Sequence, residues 1–246
     1  MWKRVSIALT WRAKLWITGK DPEYFKRRPT SAISADIWKS RTNDRLLDLI
    51  YAAIPVMRQV SHADIAAKMQ APPYRPEIWP GEKYKLLTAI VAVVRPKLVI
   101  EIGTSSGLSA LSLKKTLPDD GKIVTFDIRP WNTHPLRVLS NADFEDGRLV
   151  QIVDDISDKH TFDKHASLLS EASLVFIDVG RDEKRREEKK FLENFAALEF
   201  KGNPIFILND IRLDNMLNLW HDLQRPKLEV TTFGHWSGNG LVDWNG

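Results

Sequence analysis

The sequence predicts an α/β fold built on a doubly wound sheet of seven strands, five of them parallel and two forming a terminal β-hairpin. Five short apolar runs follow residue 97 and lack strict alternation with polar residues, which is typical of strands covered on both faces. Stretches with helical periodicity separate these runs, as parallel strands require. The five runs read LVIEI, KIVTFDI, LVQIV, SLVFIDV and PIFILND.

A helical extension, residues 1–81, precedes the sheet domain, which we place at residues 82–246. Asn43 or Asp44 caps a helix through LLDLIYAAI, and Pro55 is expected to bend or end it. A short helix over ADIAAKM and a proline-rich connector, APPYRPEIWPG, follow. The segment KYKLLTAIVAVV then predicts a helix that stops before the next proline. We expect the extension to cover a ligand site, to form a subunit interface, or both.

Helices and a hairpin are predicted along the rest of the chain. The helical segments lie near residues 107–116, 160–170, 182–198 and 211–224. The chain closes with KLEVTTF, a turn at Ser237-Gly238-Asn239-Gly240, and LVDW, which is the pattern of a β-hairpin.

Charge is distributed unevenly along the 246 residues. The net charge is +4, but residues 1–30 hold eight Lys/Arg against two acids, so the remainder carries −2. A basic tail on a slightly acidic domain predicts no nucleic-acid partner. Residues 1–20 combine basic residues with tryptophans, which indicates a helix lying on an anionic membrane surface, or packing on its own domain or on the second subunit of a homodimer. The chain has no cysteine, which excludes disulfides and agrees with a cytoplasmic location, and no apolar run is long enough to span a membrane.

An acidic residue stands at the end of each predicted parallel strand. These positions are Glu101, Asp127, Asp154 with Asp155, Asp178, and Asn209 with Asp210. Because ligands in open α/β sheets bind outside the carboxyl ends of the strands, these residues predict the binding site.

The loop after the first strand, in VIEIGTSSGLS, admits three interpretations. Gly103-Thr104-Ser105-Ser106-Gly107 matches the nucleophile elbow of serine hydrolases, and Ser105, Asp178 and His235 follow the hydrolase order. That fold, however, places several strands before its nucleophile, whereas here the loop follows the first one. Alternatively, Gly103 and Gly107 let the backbone approach a nucleotide-like cofactor, with Asp127 accepting ribose hydroxyls. The third interpretation is an ordinary tight turn without a ligand.

The stretch EIGTSSGLSALSL resembles the first motif of class I S-adenosylmethionine-dependent methyltransferases. It is similar to the O-methyltransferase branch that contains the catechol and caffeoyl-CoA methyltransferases, whose motif runs E-x-G-x-x-x-G-x-S. The likeness continues through DGKIVTFDI, VQIVDDISD, SLVFIDV and PIFILNDI to the terminal hairpin. The resemblance implies a Rossmann-like fold, S-adenosylmethionine as methyl donor, and O-methylation of a small-molecule acceptor such as a sugar or natural-product hydroxyl.

The resemblance also implies which residues hold the donor. Glu101 would support the ammonium group of its methionine part, Ser109 would lie near its carboxylate, and Asp127 would hold its ribose. The full implied donor set is Glu101, Gly103, Thr104, Ser105, Gly107, Ser109, Asp127, Asp155 and Asp178.

At the predicted acceptor site, the sequence departs from the family's pattern in two respects. Asp178, Asn209 and Asp210 fall where metal-dependent members bind Mg²⁺, although the Asn-Asp order reverses the family's usual Asp-Asn. Arg181 stands where the family commonly has a lysine or histidine that acts on the acceptor hydroxyl. Arginine stays protonated and cannot accept that proton, so it would steady an alkoxide or an anionic acceptor. Asp178 and His235 remain the candidate bases, and a catalytically inactive donor-binding scaffold is the alternative outside catalysis.

Overall fold

The protein is described by a computed structural model covering residues 41–69, 83–179, 184–213, 215–234 and 237–246. The basic segment 1–20, Arg181 and His235 lie outside the described residues. Within the described ranges, no helix is both long and apolar enough to cross a membrane.

One sheet of seven strands forms the centre of the molecule. Its strands are β1 (Leu98–Ile102), β2 (Lys122–Asp127), β3 (Leu149–Val153), β4 (Leu174–Ile177), β5 (Ile205–Asn209), β6 (Lys227–Glu229) and β7 (Asn239–Asp243). They are arranged in the order β3-β2-β1-β4-β5-β7-β6. The first five are parallel, and β7 runs antiparallel to both β5 and β6. The predicted fold class is therefore confirmed, and the reversal of strand order between β1 and β4 sets the crevice where such sheets bind ligands.

Helices cover both faces of this sheet. They are α1 (Asp44–Gln59), α2 (Ala63–Ala67), α3 (Lys83–Val94), α4 (Leu108–Lys114), α5 (Lys159–Lys164), α6 (Ala166–Leu169), α7 (Arg186–Ala196) and α8 (Met216–Asp222). Two apolar clusters form, one per face: Val99 of β1 packs with the first four helices, and its neighbour Ile100 packs with the last four. Alternate residues of a buried strand thus enter different cores, which is why these strands are apolar throughout.

Helix α1 is joined both to the apolar core and to the end of the sheet. It buries Leu46 and Ala53 completely in the same cluster as α3. At its start, Asn43 caps the helix by accepting the Leu46 N–H at 3.2 Å and donates to Asp243 of β7 at 2.8 Å. Arg45 forms an ion pair with the same carboxylate. Whether residues 1–81 act as a separate unit stays a prediction.

The structure bears on two local expectations. Of the two outcomes expected at Pro55, a bend or an end of the helix, the second does not occur, since α1 continues to Gln59. A proline inside a helix removes one backbone hydrogen bond, and the buried apolar stripe of α1 outweighs that loss.

The expected tight turn at residues 237–240 is confirmed only at its start: Ser237 lies in a turn, but Asn239 and Gly240 belong to β7. A Cβ on Gly240 would lie 2.5 Å from the ring of Trp220, so this glycine lets the strand pass closely over the ring.

Candidate functional site

The loop between β1 and α4 is built for close approach of its backbone. Gly103 has φ of +101° and Gly107 has φ of +89°, in the region that side chains rarely adopt. A Cβ on Gly103 would lie 2.2 Å from the backbone oxygen of Asp178, and one on Gly107 would lie 2.2 Å from the side chain of Leu139. Both positions therefore need glycine, because the backbone has a positive φ and because no space is left for a Cβ. The sequence predicted such a tight turn between strand and helix.

Asp127, at the end of β2, faces this loop. Its two carboxylate oxygens accept the N–H of Ser105 at 2.9 Å and the N–H of Arg129 at 3.0 Å. The structure thus joins the acid of the second strand to the glycine loop of the first. A half-buried carboxylate beside this loop has further lone pairs with which to accept hydroxyl hydrogen bonds.

Glu101 is the least satisfied polar side chain of the site. It is fully buried, and among the described residues neither carboxylate oxygen has a hydrogen bond of good geometry. Burial raises the pKa of Glu101 to about 7, with the Asp178 charge acting in the same direction. The nearby hydroxyls of Ser109 and Thr125, together with Lys83, partly oppose that rise in pKa.

Thr104 and Ser105 differ in their surroundings. Thr104 is buried, shares a 2.7 Å hydrogen bond with the hydroxyl of Thr125, and accepts from the Gln151 amide at 3.0 Å. Ser105 is exposed, and its hydroxyl lies 3.4 Å from a ring nitrogen of His134. The Thr104 side chain therefore links the end of β1 to β2 and β3, whereas Ser105 contributes its backbone N–H, which donates to Asp127.

His235, the histidine of the possible hydrolase triad, lies outside the described residues. A described histidine near Ser105 is His134, and the 3.4 Å between the Ser105 hydroxyl and its ring nitrogen is long for a hydrogen bond that activates a nucleophile. The Asp178 carboxylate is held by Lys83 and Asn209.

The two acids after β3, Asp154 and Asp155, lie at the same edge of the sheet but contact different groups. Asp154 accepts from His165 at 2.7 Å, which ties the strand end to α6. Asp155 is exposed and accepts the backbone N–H of Ser157 at 3.0 Å. Asp154 is thus engaged by a side chain of the protein, whereas Asp155 accepts a backbone N–H of its own loop and is exposed.

A cluster of opposite charges lies where β4 and β5 end. Lys83 of α3 forms a 2.5 Å ion pair with Asp178, and Asn209 donates to the other oxygen of that carboxylate at 2.8 Å. Asp210, in the left-handed region with φ of +59°, accepts from Ser237 at 2.5 Å. The structure thus brings together the predicted residues Asp178, Asn209 and Asp210 and adds a lysine that the sequence did not single out.

The cluster shifts the ionisation of two of its members. Burial alone would lower the pKa of Lys83, but the Asp178 carboxylate overrides that effect and raises the pKa above its ordinary value. Burial and the charge of Asp178 raise the pKa of Asp210, against the influence of Ser237, Lys83 and Arg185. At neutral pH the ammonium of Lys83 is therefore charged.

The Mg²⁺ implied by the resemblance does not fit this arrangement. The oxygens of Asp178, Asn209 and Asp210 face donors and cations of the protein.

A cavity of about 420 Å³ lies beside the site, lined by Lys68, Trp131 and residues 137–141. It borders Leu139, the side chain that packs where a Cβ of Gly107 would be. None of its lining residues is among the predicted site residues, so the cavity adjoins the glycine loop without containing the strand-end acids.

The fold and the glycine loop next to strand-end acids define a Rossmann-like α/β domain of the methyltransferase type. The chain belongs to the O-methyltransferase family, whose model matches residues 57–210, more than half of the sequence.

Similar proteins agree with this family. Over 120 residues the chain is 28% identical to a caffeoyl-CoA O-methyltransferase of Pinus taeda, covering 46% of this chain and 44% of the pine protein. It is 26% identical over 120 residues to caffeoyl-CoA O-methyltransferase 2 of Petunia hybrida, covering 46% of this chain and 47% of the petunia protein. The matched region thus spans less than half the length of these curated relatives.

Solved structures support the fold alone. A Staphylococcus aureus protein, provisionally described as a caffeoyl-CoA O-methyltransferase, superposes with a TM-score of 0.51 at 11% identity and covers 79% of this chain and 98% of that one. A Klebsiella pneumoniae protein, provisionally described as an O-methyltransferase, gives 0.51 at 15% identity, covering 80% of this chain and 97% of that one.

Proposed function

We propose that the protein transfers a methyl group from S-adenosylmethionine to a hydroxyl of a small molecule. The observation that carries this proposal is Glu101, a buried carboxylate beside the glycine loop that has near it the hydroxyls of Ser109 and Thr125 but, among the described residues, no hydrogen bond of good geometry. A buried, unsatisfied acid is costly, and a ligand ammonium group is the partner that would offset the cost. The donor carries such an ammonium on its methionine part.

The remaining donor contacts follow from the same edge of the sheet. Gly103 and Gly107 let the loop turn tightly against the Asp178 backbone and the Leu139 side chain, which sets the Ser105 N–H beside Asp127, and Asp127 would accept hydroxyls of a ribose. Hydrogen bonds to a carboxylate are roughly twice as strong as neutral ones. Ser109 is buried next to Glu101, and Asp155 is exposed at the end of β3. When bound, the donor supplies an electrophilic methyl group, and these residues hold it in place.

The acceptor is proposed to bind at the ends of β4 and β5. Asp178, Arg181 and His235 are the proposed catalytic residues, of which Asp178 lies in the described cluster. Methyl transfer depends chiefly on aligning donor and acceptor in line, so a strong general base is not required. A sugar or natural-product hydroxyl is the acceptor class that we propose.

We also propose roles for the N-terminal residues. Residues 1–81 would contribute to a cover over the site or to a homodimer interface, and residues 1–20 would contact a membrane surface peripherally. A cytoplasmic location is proposed on the absence of cysteine.

Calorimetric titration of the full chain with S-adenosylmethionine and S-adenosylhomocysteine tests donor binding. We expect saturable heat with both and a higher melting temperature in their presence. Absence of both effects would end the proposal. Release of S-adenosylhomocysteine with a panel of hydroxylated acceptors tests the transfer step. Donor binding without turnover on any acceptor would favour the inactive scaffold instead.

A further inference from the structure

We infer that this chain supplies its own cation to the acceptor site: the Lys83 ammonium, with Arg185 beside it, takes the place of the divalent metal. The inference rests on the proposed function, and it specifies which cation lies against the carboxylates of the proposed acceptor site. The resemblance implies Mg²⁺ at Asp178, Asn209 and Asp210. In the structure, however, the oxygens of these residues contact donors and cations of the protein, and the inference follows from this disagreement.

Both oxygens of Asp178 are already engaged. Lys83 Nζ lies 2.5 Å from Oδ2, and Asn209 Nδ2 donates to Oδ1 at 2.8 Å. Asn209 therefore presents its amide nitrogen, which cannot coordinate a metal, toward Asp178.

The remaining oxygens of the predicted metal site also face protein donors. Asn209 Oδ1 accepts from Asn239 Nδ2 at 3.0 Å. Asp210 Oδ1 accepts from Ser237 at 2.5 Å, and its Oδ2 lies 3.6 Å from the guanidinium of Arg185. All five side-chain oxygens of the three residues thus face a hydrogen-bond donor or a cation, whereas Mg²⁺ needs oxygens that are free to complete an octahedron.

Protein cations already face both carboxylates. Lys83 pairs with Asp178, and Arg185 lies 3.6 Å from Asp210 while it also pairs with the buried carboxylate of Glu188 at 2.7 Å; the side chains of Lys83 and Arg185 are only 6% and 5% exposed. A divalent metal that displaced Lys83 from Asp178 would leave a buried ammonium without its countercharge, which is strongly unfavourable.

Lys83 is fixed in this position by its surroundings. It is part of α3, and its ammonium lies 5.5 Å from the ring centres of both Tyr84 and Phe176. Cations are attracted to aromatic faces at this range. Because Lys83 contacts Asp178 rather than the reacting atoms, it is a positioning residue: it supplies the countercharge of the carboxylate and fixes its orientation at the edge where the acceptor would bind.

Titration of the full chain with Mn²⁺, followed by the electron paramagnetic resonance signal of free Mn²⁺, tests the inference without any substrate. We expect no saturable binding to the wild type. We expect K83M, which removes the resident cation at similar side-chain length, to free Asp178 Oδ2 and to bind Mn²⁺ measurably, although the donors that face the other oxygens keep the affinity low. The double variant K83M/D178N should lose that binding again. K97M, at an exposed lysine before β1, is the matched control and should behave as wild type.

Stoichiometric Mn²⁺ binding by the wild type would overturn the inference, and this result needs no variant to fold. A folded K83M, verified by its melting transition, that takes up no Mn²⁺ would also overturn the role of Lys83. K83R should exclude Mn²⁺ as the wild type does, because it keeps the charge, and Mn²⁺ uptake by K83R would count against the inference.

The proposed function and the inference about Lys83 can be refuted independently of each other. If S-adenosylhomocysteine gives no heat with the same preparation, the proposed function fails while the Mn²⁺ result still decides which cation occupies the cluster. If methyl transfer is found, EDTA should leave its rate unchanged, and a stimulation by Mg²⁺ of about tenfold or more would contradict the inference.

Discussion

Replacing Glu101 with glutamine should stabilise the free protein at pH 8 while weakening its affinity for the methyl donor. The carboxylate is fully buried and has no well-formed hydrogen bond within the described part of the chain, and burial raises its pKa from 4.5 to about 7. At about 1.4 kcal/mol per pKa unit, this rise corresponds to a folding cost on the order of 3 kcal/mol for the charged form. Glutamine has nearly the same shape and carries no charge, so it removes that cost.

The sign of the effect with pH follows from the direction of the shift. The folded state holds the Glu101 proton more tightly than the unfolded chain, so the contribution of Glu101 to stability falls as pH rises from about 4.5 to about 7. Above that range both states are ionised and the cost is constant. The advantage of E101Q should therefore be small near pH 5 and reach its full size by pH 8.

Urea denaturation at both pH values, followed by tryptophan fluorescence, measures this difference in the free energy of unfolding. E199Q, at an exposed glutamate, is the matched control and should change stability equally at both pH values. An E101Q variant that is less stable than wild type at pH 8, or whose advantage does not grow with pH, would refute the reasoning.

Two further predictions concern the glycine loop and the second strand. G103A should lower the free energy of unfolding by more than about 3 kcal/mol, because its Cβ would lie 2.2 Å from a backbone oxygen at a φ of +101°. G147A, with φ of +68° and open space around it, should cost only about 1–2 kcal/mol, and equal costs in urea denaturation would contradict the steric argument. D127A should weaken S-adenosylhomocysteine binding by about 10- to 100-fold in calorimetry, since it removes charge-assisted hydrogen bonds. D120A, at an exposed acid away from the strand ends, should leave the affinity unchanged, and equal losses in both variants would exclude a ribose contact for Asp127.

Most of the sheet was predictable from local patterns. The five parallel strands are apolar on both faces, and most are followed by a helical segment, so their existence and parallel direction needed no knowledge of distant contacts. The acids at their ends could be expected at one edge for the same reason. Glu101, Asp127 and Asp178 were thus predicted as site residues before their contacts were known.

The errors and omissions arose where distant residues decide the structure. Gly240 suggested a turn because glycine is common in turns, but its small size serves the passage of β7 over Trp220. Lys83 and Asp178 lie 95 positions apart, and no sequence spacing signals their ion pair. The proline-rich segment just before Lys83 marked only where a helix would start. A buried lysine at such a start is visible only after α3 packs over β4.

A crystal structure of the full chain with S-adenosylhomocysteine tests the central claim most directly. We predict that Glu101 lies within hydrogen-bonding distance, about 2.7–3.2 Å, of the ligand ammonium, and that Asp127 accepts from its ribose hydroxyls. A ligand bound away from the loop between Gly103 and Gly107, or a Glu101 carboxylate that stays without a partner in the complex, would contradict it.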